Sequence, residues 1–219
     1  MFTLKQFLIS KLLRRRGKAA FILSLPRYSH ILDVGCGNNS PYNTKTLRPD
    51  CIYTGIDIGD YNQSKPLMAD HYIVIDPAHF HHAIRQQGVV YDAVICAHNL
   101  EHCDQRWETL LAMISVLKPG GLLYLAFPCA KSVNFPHRAG TLNYYDDPTH
   151  QGLPPDLEHC ITLLEQNNCV LLYQSASYQP RLLYWLGWIL ETFAKHGQKV
   201  LPGTWEYYGF ETIVWSKKT

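Results

Sequence analysis

The chain of 219 residues is 47% hydrophobic and only 17% charged, with a net charge of +2. This composition excludes a disordered chain, a coiled coil and a collagen-like fibre, and the length suits one domain with excursions. The charge is unevenly divided. Residues 1–18 hold six Lys and Arg and no acid, whereas the remaining 201 residues hold 14 Lys and Arg against 18 acids. A mildly acidic body argues against a nucleic-acid binder that coats its surface with cations. Seven cysteines, an odd number without C-x-x-C spacing, read as reduced thiols, mostly buried, in a cytosolic protein. No apolar run reaches the roughly 18–20 residues of a membrane span. The N-terminal charges follow the apolar residues instead of preceding them, which does not make a signal peptide.

In chain order, 3–16 predicts a helix with an apolar stripe (Phe7, Leu8, Ile9, Leu12) and a basic C-terminal end. Short apolar runs follow at His30–Val34, Ile52–Asp57, Tyr72–Ile75, Tyr91–Ala97 and Gly121–Phe127, separated by helical segments at Pro77–Gln87 and Gln105–Leu117. Lys118-Pro119-Gly120-Gly121 reads as a helix stop and a turn. Apolar runs alternating with helices predict β-α units and a parallel sheet. Residues 128–153 carry no period and form an irregular loop of 26 residues, long enough to suggest function. Pro154–Asn167 reads as a helix, Val170–Ser175 as a strand, 181–194 as a very apolar helix and 207–216 as a closing strand.

The first strand runs into Asp33-Val34-Gly35-Cys36-Gly37-Asn38-Asn39-Ser40. A strand ending in G-x-G lets backbone approach a ligand closely. Ser40 stands where a dinucleotide fingerprint has its third glycine, which argues against an NAD enzyme. Asp57, 20 residues past Gly37, can hold a ribose diol. Asp33 would repel a pyrophosphate but suits a cationic ligand.

A ribose, no phosphate and a positive centre describe S-adenosylmethionine. In ILDVGCGNN, Asp57, YDAVICAHNLEH and LKPGGLLYLAFP, in this order, the sequence resembles the class I S-adenosylmethionine-dependent methyltransferases over about residues 28–176 plus the last strand. The resemblance implies a Rossmann-like, seven-stranded, mostly parallel α/β sheet with helices on both faces and an antiparallel last strand. It implies a single domain over 1–219, in which 1–27 is an N-terminal helical segment, 28–127 the cofactor half, 128–153 the acceptor loop and 154–219 the C-terminal part. It also implies roles by position. Gly35, Cys36, Gly37 and Asn38 would line the methionine part, and Asp33 would help hold the amino-acid end. Asp57 would hold the ribose, Ile58 and Asp76 the adenine, and Ala97 and His98 would close the site after the fourth strand.

An alcohol acceptor needs a general base; His98 is the first candidate and His150 the second, with a structural histidine the alternative for each. The Asn/Asp-Pro-Pro-aromatic motif of amino-methyltransferases is absent after the fourth strand. His137, Arg138, Asn143, Tyr144 and Tyr145 are the expected acceptor wall, unless Asp and Asn turns merely hold the loop. The segment is similar to methyltransferases of bacterial surface-polysaccharide synthesis, so a sugar or glycan hydroxyl is the expected acceptor. An RNA base, a protein side chain or a silent partner subunit are the rivals. His98-Asn99-Leu100-Glu101-His102 fits the H-x-x-E-H zinc pattern, but the segment follows a strand, and hydrogen bonds are expected there, with no metal. His79, His81 and His82 read as solvated. Helix 181–194 is expected either as a buried cap or as a docking face for a second copy. The basic N-terminal helix is expected to pack with its basic end in solvent, the alternative being a peripheral contact with the inner face of a membrane.

Overall fold

A computed structural model describes residues 14–61, 65–87 and 90–219. Up to residue 13, the helix expected at 3–16 lies outside the described residues. Seven strands form one sheet: β1 (His30–Val34), β2 (Ile52–Asp57), β3 (His71–Val74), β4 (Tyr91–Ala97), β5 (Leu117–Pro128), β6 (Cys169–Ser175) and β7 (Glu211–Lys218). Their spatial order is β3-β2-β1-β4-β5-β7-β6. β1 pairs in parallel with β2 and β4, β2 with β3, and β4 with β5, while β7 runs antiparallel to both β5 and β6. This is the Rossmann-like arrangement that the family resemblance implies, and its parallel part is what the alternating pattern predicts.

Strand residues divide between two apolar layers because successive side chains point to opposite faces. Ile31, Ala93, Ile95, Tyr124 and Ala126 enter one layer with Phe21 and Ile22. Leu32, Val94, Cys96, Leu123, Leu125 and Phe127 enter the other with Ile84, Leu110, Met113 and Leu164. The helices that cover these faces include α1 (Lys18–Ser24), α2 (Ser40–Leu47), α3 (Phe80–Arg85), α4 (Arg106–Ser115) and α5 (Leu157–Gln166). Both central faces are covered, as parallel strands require.

Several boundaries differ from expectation. α1 lies within the expected N-terminal helical segment 1–27 but beyond the helix read at 3–16, and α2 is unforeseen: each is at most 8 residues, and α2 (SPYNTKTL) buries only Pro41 and Thr44. Lys118–Gly121 is a bulge inside β5, where the ladder passes from Tyr91↔Leu117 to Ala93↔Leu122. The closing strand begins later than expected. Thr204–Tyr208 is a helix (α7) between Gly203 and Gly209, both left-handed at φ 86° and 68°, and only then does β7 start. His81 is buried against the ring of His82, not solvated. All seven cysteines are free thiols.

Helix α6 (Arg181–His196) is no buried cap. It packs on α7 through Gly187, where a Cβ would come within 2.0 Å of the Gly203 carbonyl oxygen. The opposite side leaves Leu182, Trp185, Leu186, Trp188, Ile189 and Phe193 exposed. No helix among the described residues is long and apolar enough to cross a membrane.

Candidate active site

The carboxyl ends of β1, β2 and β4 meet where the strand order reverses, and the sequence puts its glycine loop there. Gly35 and Gly37 have φ of 66° and 55°, left-handed values that glycine adopts without strain. A Cβ at Gly35 would lie 2.3 Å from the Asn99 side chain, whereas at Gly37 nothing comes within 4 Å. The loop is therefore tight on the β4 side and open above Gly37. Cys36 is buried beside Gly55, and burial pushes its thiol up to about 12, so it lines the loop as a neutral group.

Asp57 closes the next strand. Its Oδ2 accepts from the Gly37 amide at 2.6 Å and its Oδ1 from the Ile58 amide at 2.7 Å. Burial raises its pKa, and these two bonds work in the opposite direction. The carboxylate ties the β1 loop to the end of β2, where a ribose diol can reach it. A cavity of about 110 Å³ opens nearby between Ile58, Pro77, Ala78, Phe80, Asn99 and His102. Asp76 does not line it; its side chain caps the turn Pro77–His79 by accepting from the Ala78 amide. Ala97, the last residue of β4, leads into His98 and Asn99.

Asp33 is fully buried. Its Oδ2 accepts from Lys18 Nζ at 2.7 Å, Ser40 Oγ at 2.6 Å and Tyr53 Oη at 2.7 Å. Its Oδ1 is buried without a partner. An orphan acceptor there suits one more donor, such as the ammonium of a bound amino acid. Lys18 borders the adjoining groove with Arg14, Asn38 and Ser40. The sequence reading missed Lys18 because it counted the residue with a basic docking arm. The described part of that arm turns inward: Arg14 pairs with Glu206 and Glu211, and Arg16 lies over the rings of Tyr173 and Trp215.

His98, the first base expected, is committed elsewhere. Its Nε2 faces Glu211 Oε1 at 2.9 Å and its Nδ1 faces Glu101 Oε1 at 3.2 Å. Burial alone would lower its pKa, but the two carboxylates outweigh that and hold it at about 10. A ring with both nitrogens donating carries a proton and cannot receive another. His98 is thus a cationic link in a chain from Arg14 through Glu211 to Glu101, flanked by Trp205 and Phe210. Its own backbone is left-handed at φ 54°, so H-x-x-E-H is not a continuous α-helix: Leu100–His102 is a single 3₁₀ turn.

His150, the second candidate, is different. Its Nδ1 donates to the Tyr144 carbonyl at 2.6 Å, and its ring stacks on Tyr144 at 4.4 Å. The tautomer that donates from Nδ1 leaves a lone pair on Nε2. Burial lowers its pKa and keeps it neutral. The ring of His102 lies 4.8 Å away.

The acceptor wall is built differently from its expectation. Arg138 is buried and forms a bidentate pair with Glu191 of α6 at 2.6 and 3.0 Å. Asn143 is buried; it caps the turn at Tyr144 and donates to the carbonyls of Val133 and Phe135. Tyr144 is fully buried under His150. Asp146 accepts from the amides of Arg138, Leu142 and Asn143. These residues are engaged in holding the loop. His137 and Tyr145 remain exposed.

A glycine loop, an acid at the end of the next strand and a buried acid with an unpartnered oxygen lie together at the switch point of a Rossmann-like sheet, an arrangement that suits a nucleoside cofactor with a cationic end. A methyltransferase domain model matches residues 4–174, and the chain belongs to that family, the S-adenosylmethionine-dependent methyltransferases, with S-adenosylmethionine as cofactor. Over 120 residues it is 29% identical to the 27-O-demethylrifamycin SV methyltransferase of Amycolatopsis mediterranei, covering 51% of this chain and 43% of that one. Over 113 residues it is 30% identical to the tRNA (carboxymethyluridine(34)-5-O)-methyltransferase of Arabidopsis thaliana, covering 49% and 26%. The chain thus spans less than half the length of these relatives. The N-methyltransferase NodS of Bradyrhizobium japonicum, solved with S-adenosyl-L-homocysteine, shares the fold at TM-score 0.55 and 16% identity, over 93% of this chain and 85% of that one.

Proposed function

We propose that the chain transfers the methyl group of S-adenosylmethionine to an oxygen of a small polar acceptor, a saccharide hydroxyl being the class that fits best. The observation that carries this reading is the tautomer of His150. Its Nδ1–H is spent on the Tyr144 carbonyl, which leaves Nε2 with a lone pair able to accept a hydroxyl hydrogen. An amine or carboxylate acceptor would not need such a group. Two of the relatives are named as O-methyltransferases by their substrates or products, one acting on a small molecule and one on tRNA. The acidic body favours the small molecule over RNA.

The cofactor supplies a methyl on a positive sulfur, already activated for in-line displacement. The protein's part is alignment and exclusion of water. Asp57 holds the ribose, and Ile58 with Pro77 and Ala78 forms the apolar wall for the base. Asp33 Oδ1 receives the ammonium, while Lys18 and Ser40 keep Oδ2 occupied and the carboxylate still. His98 carries a fixed charge and holds Glu101 and Glu211 in place. His137 and Tyr145 offer an exposed donor and an aromatic face to a polyhydroxylated ligand.

The test is methyl transfer from labelled cofactor to a panel of saccharides and nucleotide sugars, with tRNA in parallel. Label on a saccharide oxygen, reduced at least tenfold in His150→Ala, is the expected result. Transfer to RNA alone, or to a nitrogen, overturns the acceptor class.

A further inference from the structure

Glu101, His102 and His150 come together although the first two lie on the turn after β4 and the third in the 128–153 loop. One donor atom from each lies within 4.8 Å of the others. Glu101 is fully buried, and its Oε2 has no partner, while its Oε1 is taken by His98. The Thr149 hydroxyl donates to Asp147 Oδ1 at 2.6 Å, so at 2.9 Å from His102 Nδ1 it acts as acceptor. His102 then carries its proton on Nδ1, and its Nε2 bears the lone pair. His150 is fixed in the same tautomer by the Tyr144 carbonyl. Asp147 Oδ2 stands 3.9 Å from His150 Nε2, beyond hydrogen-bond reach. Each of the three groups thus spends one polar atom on an orienting bond and keeps a lone pair on the other. Second-shell bonds of this kind fix metal-ligating histidines.

We propose that Glu101, His102 and His150 bind a divalent cation of the zinc type at the acceptor end of the site. Two imidazoles and one carboxylate are a donor set that zinc accepts with a fourth position open. Its donors lie about 2.0–2.2 Å from the metal and so about 3.4 Å from one another; binding draws the three groups together by rotation of side chains. The proposal rests on the reading of the site as an O-methyltransferase and deepens it: the open position orients the acceptor hydroxyl. On the metal the acceptor hydroxyl ionises as it binds, its proton passing to bulk solvent; the oxygen–carbon bond then forms as the sulfur–carbon bond breaks, and sulfur keeps the electron pair. The His150 Nε2 lone pair still acts on the acceptor oxygen, now through the metal. The H-x-x-E-H pattern misleads as a zinc motif because His98 is no ligand; the third donor comes from the loop.

The test is calorimetric titration of chelator-treated, tag-free full-length protein with zinc chloride and with manganese chloride, alongside Glu101→Gln, His102→Ala, His150→Ala and the exposed control His79→Ala. Circular dichroism checks folding; His102, at the surface of the cluster, keeps the test valid if Glu101→Gln fails to fold. One saturable site per chain, weakened at least tenfold in His102→Ala and His150→Ala and unchanged in His79→Ala, supports the proposal. No saturable heat with either metal, or an affinity indifferent to His102→Ala, overturns it. Metal binding without any methyl transfer to oxygen sinks the acceptor reading alone. Full transfer by metal-free protein sinks the metal site alone.

Discussion

Glu191→Ala tests whether Arg138 binds a ligand or holds the fold. The Arg138 side chain is 1% exposed and Glu191 17%, and the pair is bidentate at 2.6 and 3.0 Å, with Tyr208 Oη donating to Glu191 at 2.7 Å. Removing the carboxylate strands a buried guanidinium, for which loss of a buried partner costs about 3–5 kcal/mol. Since Glu191 keeps some contact with water, the lower end, about 3 kcal/mol, applies. For a chain of this length 1 kcal/mol moves the melting temperature by about 2–4 °C, so a drop of about 6–12 °C is expected in a thermal melt followed by circular dichroism. The paired replacement Arg138→Met with Glu191→Leu should recover most of the loss, because apolar isosteres need no desolvation. The pH dependence has a definite sign. Burial raises the Glu191 carboxyl, but Arg138 and Tyr208 outweigh it and hold the folded pKa below 4.5. The pair's contribution is therefore complete above that value and disappears as pH falls through the lower folded pKa. A Glu191→Ala protein that melts within about 2 °C of wild type at pH 7 would refute this reasoning.

Two further outcomes follow from the same geometry. Asp57→Ala should weaken S-adenosylmethionine binding by at least an order of magnitude, since a hydrogen bond to a charged group contributes about 1.5–3 kcal/mol; isothermal titration with unchanged affinity would mean that the ribose lies elsewhere. Trp185→Glu with Trp188→Glu should leave the melting temperature within about 2 °C of wild type, because surface changes usually stay within about 0.5 kcal/mol, and both rings are more than half exposed. A large drop would show that α6 is covered by something other than solvent.

Much of the cofactor side was legible in sequence because it is local. β1, β2 and β4 end where their apolar runs end, and Gly35, Gly37 and Asp57 sit at those ends because G-x-G and the acid are spaced by one β-α unit. The acceptor side was not legible, because its groups act through distant partners. His98 looked like a base until Glu211, 113 residues later, occupied its second nitrogen. Arg138 and Asn143 looked like ligand-binding groups until Glu191 and the loop carbonyls claimed them. Lys18 carried no signal of its own, since nothing in a run of cations says which one faces a buried Asp33.

The sequence by itself determined the α/β alternation, the glycine loop and the placing of Asp57 at the end of the next strand, since periodicity and turn chemistry depend on neighbours a few residues apart. Tertiary structure alone decided which polar groups are already satisfied. A buried donor or acceptor takes whatever partner the folded chain brings within about 3 Å, and those partners come from β7, α6 and the 128–153 loop. That assignment made His98 a fixed cation, turned His150 Nδ1 toward the Tyr144 carbonyl and left Glu101 Oε2 without a partner.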